Sequence, residues 1–89
     1  MFRVILECSG VPIDQGEIAA RDIAREFAEH RPHQQNIKCS FTEGKLRLVA
    51  ENDYDAKGLA LMDEFSDCLS AFIRGGFDGD MWVKSVSVI

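Results

Sequence analysis

Four stretches of this chain alternate apolar and polar side chains with a period of two, and two others place apolar residues at helical spacing. Few folds satisfy both patterns at once. In the first stretch Phe2, Val4, Leu6 and Cys8 share one side and Arg3, Ile5 and Glu7 the other, the signature of a half-buried strand. "SGVP" then breaks the alternation, and Asp14 stands where a helix cap is wanted. From there to about His30, Gly16, Ala20, Ile23, Ala24 and Phe27 fall on one helical face, while Asp22, Arg25, Glu26 and Glu29 point away. Pro32 stops this helix, with Arg31 near the negative end of its dipole.

Two strands follow. Ile37, Cys39 and Phe41 alternate with Lys38 and Ser40, and Leu46, Leu48 and Ala50 alternate with Lys45, Arg47 and Val49. "TEGK" between them reads as a short hairpin connection. A second helix is predicted from about Asp55 to Arg74, with Leu61, Met62, Phe65, Cys68, Leu69, Phe72 and Ile73 as its stripe and Gly75-Gly76 as its end. "MWVKSVSVI" is a last strand. Two helix stripes need one apolar sheet face, so the order strand, helix, strand, strand, helix, strand predicts a ferredoxin-like α+β fold. Its antiparallel sheet is ordered 4-1-3-2, with both helices on one side. The 89 residues read as one domain, of which only roughly 60–65% of the unfolded surface is buried. This arrangement hosts many unrelated functions, so it names no activity.

Composition narrows the functional classes. At 46% hydrophobic and 28% charged the chain reads as globular and soluble. No apolar run reaches the length of a membrane span, and "MFRVILECSG" is too short in apolar residues for an export signal, so a cytoplasmic location is expected. Cys8, Cys39 and Cys68 are odd in number and lack C-x-x-C spacing, against a disulfide framework or structural zinc. The net charge of −5 opposes general nucleic-acid binding. An RNA-reading sheet would need aromatics on its central strands, which "KLRLVAE" lacks.

The most motif-like stretch, "NDYDAKGLALMDE", places Asp53, Asp55, Gly58 and Glu64 at the spacing of a calcium loop. Lys57 at the fifth position offers no lone pair, and a strand rather than a helix precedes it. Asp53 or Asp55 is better read as a helix cap, and Gly58 as a close approach to the sheet. The three cysteines share inward parity and read as small apolar residues. "RGGFDGD" leaves a helix C-terminus, unlike a phosphate loop. His30, Arg31 and His33 are expected near Glu51, Asp53 and Asp55, as solvated ion pairs rather than a metal site. No cofactor, metal or catalytic set is predicted.

What remains is surface. The sheet face away from the helices is expected to carry Arg3, Lys38, Lys45 and Arg47 against Glu7 and Glu51. The helices carry Asp22, Glu26, Glu29, Asp63, Glu64 and Asp67, partly offset by Arg21, Arg25 and Arg74. The final strand fits either parity: inward Trp82, Val86 and Val88 bring Lys84 inside, whereas outward they leave a weak core. The outward arrangement is expected, placing them near Ile5 and Val49, with a bulge as the alternative. The chain is thus read as a non-enzymatic interaction or regulatory module, a homodimer or bound to a protein partner. Its expected interface is the open face and final edge strand: Arg3, Ile5, Lys38, Lys45, Arg47, Val49, Trp82, Lys84, Val86 and Val88. Two alternatives stand beside it. One is a small enzyme or ligand-binding protein with a pocket between two packed sheets, where Arg3, Arg47 or Lys84 meets an anionic substrate. The other is an acidic inhibitor of a basic enzyme.

Overall fold

A computed structural model describes residues 1–89. The elements are β1 (Phe2–Ser9), α1 (Ile13–His30), β2 (Gln35–Thr42), β3 (Lys45–Asn52), α2 (Leu59–Phe72) and β4 (Met81–Val88). The four strands form one sheet in the order β2-β3-β1-β4, antiparallel throughout. This is the expected 4-1-3-2 order read from the other edge, and the fold is ferredoxin-like. No helix is long and apolar enough to cross a membrane.

Alternation puts Val4, Leu6 and Cys8 of β1 beside Leu46, Leu48 and Ala50 of β3, and all six are buried. Ile23 and Phe27 from α1 and Leu61, Phe65 and Leu69 from α2 close the core over this face. Gly16 is buried against the Phe41 ring, where a methyl group would overlap it. Ala24, expected in the stripe, is only half-buried, and Ala19 takes its place. Phe72, also expected inside, is 36% exposed and lies at the surface beside Ile18 and Ala19 of α1.

Both helix starts differ from expectation. α1 begins at Ile13 after Pro12, without a side-chain cap, so Asp14 lies in the first turn and faces Arg74 at 3.5 Å. Pro12 requires no amide partner, which is why a proline suits this end. α2 starts at Leu59, four residues later than Asp55, and ends at Phe72 rather than Arg74. Asp55 caps it from a distance: its two oxygens accept the amides of Ala60 (3.1 Å) and Leu61 (2.9 Å). The intervening turn uses Gly58 at φ 77°, whose missing side chain lets Val4 and Val83 approach. A Cβ there would sit 3.0 Å from the Val4 methyl.

The turn itself hangs on Asn52, which is fully buried at the end of β3. Its side-chain oxygen accepts the amides of Tyr54 (3.2 Å) and Asp55 (2.8 Å), and its amide group donates to Gln34 at 3.0 Å. Asn52→Ala strands two amides and the buried Gln34 oxygen, so a loss of about 2–4 kcal/mol is expected in urea denaturation. Asp55→Ala should cost about 1–2 kcal/mol, the worth of a cap. Equal, near-zero losses for both would show that this junction does not hold α2 in place.

Candidate functional site

The strand register arranges the open face in rows. One row runs Ser40–Arg47–Glu7–Trp82 across β2, β3, β1 and β4. The next runs Lys38–Val49–Ile5–Ser85, and in the row beyond it Glu51 faces Arg3, which faces Ser87. Each central carboxylate therefore stands directly opposite an arginine, the arrangement in which cross-strand pairs interact best. Arg47 donates twice to one Glu7 oxygen, from Nε at 3.0 Å and Nη2 at 2.7 Å, while the Lys84 ammonium lies 3.8 Å from the other. Arg3 Nε donates to Glu51 at 3.0 Å, and Asn36 donates to the second Glu51 oxygen at 2.7 Å. Asn36 reaches it from a left-handed backbone (φ 51°) at an irregularity of β2, a conformation asparagine tolerates better than most residues.

β4 resolves its two-sided pattern with a bulge. Pairing with β1 passes from Ile5–Ser85 to Leu6–Val83, so Lys84 is the extra residue. Trp82 thus shares the open face with its neighbour Glu7, as expected, and Lys84 lies close enough to reach the same carboxylate. Val86 and Val88 do not join them. Val86 pairs with Val4 and packs against the core, and Val88 pairs with Phe2 on the helix side, 81% exposed where the helices leave the strand uncovered. Their expected place on the open face is overturned because the extra residue reverses the facing of everything beyond it. Arg3, Ile5, Lys38, Lys45, Arg47, Val49, Trp82 and Lys84 keep the predicted face.

This face is strongly polarised. It carries five cations (Arg3, Lys38, Lys45, Arg47, Lys84) and two carboxylates (Glu7, Glu51), three positive charges net on a chain of net −5. The rest of the chain therefore carries −8, Glu43 of the β2–β3 hairpin and the buried Asp55 included. Lys38 and Lys45 take part in no ion pair, and the Lys45 ammonium rests 5.8 Å from the Trp82 ring centroid. Two concavities lie on the face. One of about 340 Å³ is lined by Glu7, Lys45, Arg47, Lys84 and the β2–β3 hairpin, with no apolar residue. The other, about 570 Å³, lies over Ile5 and Val49 between Arg3 and Lys38.

The histidines go elsewhere than expected. His33 bonds Glu64 of α2, and Arg31 lies between Glu26 at 3.6 Å and Glu64 at 3.8 Å, while His30 meets only Glu29 at 3.8 Å. The buried Gln34 donates to both Glu64 and the Tyr54 hydroxyl, each at 3.1 Å. Burial, then the charges of Glu64, Asp55 and Asp53, raises the Tyr54 phenol above its ordinary value. Gln34, Tyr54 and Glu64 escape sequence reasoning because Tyr54 and Glu64 lie 20 and 30 residues from Gln34. No cavity opens onto this cluster; it fastens the α1–β2 connection and the β3–α2 turn to α2. Glu64 and Asp55, two carboxylates of the calcium-like spacing, are each engaged in separate contacts.

All three thiols are free. Burial pushes Cys8 and Cys68 up to about 11 and Cys39, a half-buried residue of β2, up to about 12. Alkylation at about pH 8 should be slow at all three, because the thiolate is the reacting species. Rapid selective labelling of Cys8, followed by mass spectrometry, would contradict its place in the core. Comparison with protein-family models, curated proteins and solved structures finds no match for this chain.

The carboxylates of the open face make a further prediction. Arg47 hydrogen bonding, then the Lys84 charge, holds Glu7 below its ordinary 4.5. Asn36 and Arg3 do the same for Glu51. A folded-state value below the unfolded one adds stability that is complete above about pH 5 and lost as pH falls through the lowered value. Chemical denaturation from about pH 6 down to about pH 3 should show this acid limb, flattened in Glu7→Gln and again in Glu51→Gln. An identical pH slope in wild type and both variants would refute the pairing.

Proposed function

We propose that the chain is a small non-enzymatic interaction module, and that its open sheet face docks on an acidic protein surface. The observation that carries this is the charge segregation: three net positive charges on the strands of the open face, in a chain whose remaining residues sum to −8. Such a field orients an approaching anionic surface and speeds encounter. Ile5 and Val49, between Arg3 and Lys38, and the half-buried Trp82 beside Lys45 supply apolar contact. An aromatic anchor inside a charged rim is the common anatomy of a protein interface. A second copy is a poorer occupant of the same face. Sheet-to-sheet self-pairing sets the five cations of one copy against those of the other, and Val86 and Val88 offer no apolar compensation there.

Trp82, the only tryptophan, reports on this face. Its fluorescence should change saturably with an oligoglutamate peptide and not with oligolysine. The response should weaken steeply from roughly 50 to roughly 300 mM salt, a range over which the screening length falls about 2.4-fold. Lys38→Glu/Lys45→Glu should abolish it. Sedimentation should find a monomer at micromolar concentration. Trp82→Ala should leave stability within about 1.5 kcal/mol of wild type, well short of a core aromatic truncation. A salt-insensitive response, an equal response to oligolysine or a stable dimer that buries Trp82 would overturn this reading.

A further inference from the structure

The concavity at the hairpin end of the open face has the chemistry of an oxyanion site. We propose that it receives a phosphate group, carried on a side chain of the docked protein; this rests on the open-face reading above. Three strands supply its donors: the Lys45 ammonium and Arg47 from β3, Lys84 from the bulge of β4, and the Ser40 and Thr42 hydroxyls from β2. The register sets Ser40 opposite Arg47 and Thr42 opposite Lys45, so each hydroxyl neighbours a cation.

The one carboxylate in the floor does not cancel these charges. Glu7 is buried, and one of its oxygens accepts both Arg47 hydrogen bonds while the other faces Lys84. It fixes Arg47 in a flat, defined pose, with the guanidinium Nη1 left for a ligand, since neither Glu7 bond uses it. Lys45 meets no carboxylate, and the ammonium lies against the Trp82 ring instead, a weaker partner than an oxyanion at an exposed site. Glu43 at the hairpin is the opposing charge on the rim. It forms no ion pair and stands in the turn at φ 54°, outside the strands that hold the donors. Donors converging from three strands, with no apolar lining in about 340 Å³, suit a tetrahedral anion better than a flat carboxylate, which two coplanar donors already satisfy. Lys45 both lines the concavity and rests over the Trp82 ring, so the indole registers occupancy.

Amide and indole NMR spectra recorded during titration with inorganic phosphate, against sodium chloride at matched ionic strength, test this. Saturable shifts confined to Ser40, Thr42, Lys45, Arg47, Lys84 and the Trp82 indole are expected. Lys45→Ala/Lys84→Ala should raise the apparent dissociation constant roughly tenfold or more, as loss of charge-assisted bonds requires. Lys45→Arg/Lys84→Arg should recover most of the affinity, and thermal melts should show both variants folded. A phosphoserine peptide should bind more tightly than its serine and glutamate versions if the phosphate arrives on a protein; equal binding of the glutamate peptide would overturn the phosphate assignment. Shifts equal to those in chloride, or unchanged in the alanine variant, would overturn the site. If oligoglutamate still perturbs Trp82 in that case, only the phosphate site falls; if it does not, the open-face reading falls with it.

Discussion

Glu7 is the residue on which the open face depends. It lies on a central strand with its side chain only 8% exposed, directly opposite Arg47 and beside Trp82. A carboxylate so placed needs partners, because burying an unpaired charge is costly. Arg47 supplies two hydrogen bonds from β3 and Lys84 approaches from β4, so one side chain ties together the three strands that carry it and its partners. At the other end Glu51 does the same with Arg3 and Asn36. The cations of these pairs are thus held over buried carboxylates while staying about half exposed, and the face keeps a fixed charge pattern.

The opposite layer has its own fastening. α2 cannot begin where the sequence first permits, because Asn52 turns the chain through Tyr54 and Asp55 before the helix starts. Asp55 then holds the first α2 amides, while Gln34, His33 and Arg31 meet Glu64 one turn further along. Polar contacts at this end fix how the helices lie on the apolar face. They leave the sheet's other face uncovered, and that exposure is what makes a function there physically reasonable.

The fold was legible because its causes are local and periodic. Leu46, Leu48 and Ala50 bury at every second position, and Ile23 and Phe27 at helical spacing, as period arguments require. Boundaries were less legible where a side chain acts over several residues: Asp55 was recognisable as a cap, but a turn containing a left-handed Gly58 separates it from the helix. On the open face, Arg3 through Lys84 lie where alternation puts them. Val86 and Val88 do not, because one extra residue, Lys84, reverses the strand. A strand whose two parities are nearly equal in apolar content carries no internal sign of where such a reversal falls. The Gln34–Tyr54–Glu64 contacts were beyond reach for a different reason: they join the α1–β2 connection, the β3–α2 turn and α2, which only the folded chain brings together.

Charge segregation is the claim from which the functional reading grows, and it is measurable without any partner. Paramagnetic cosolutes of opposite charge broaden amide signals according to the local potential. Comparing an anionic with a cationic nitroxide at low salt gives that potential residue by residue. Stronger broadening by the anionic probe at Arg3, Ile5, Lys38, Lys45, Arg47 and Lys84, with the reverse at Asp22, Glu26, Glu29, Asp63 and Asp67, is the expected result, converging as salt shortens the screening length. Equal broadening of the two faces, or a cationic preference on the sheet, would contradict a positive open face and remove the basis for an acidic partner.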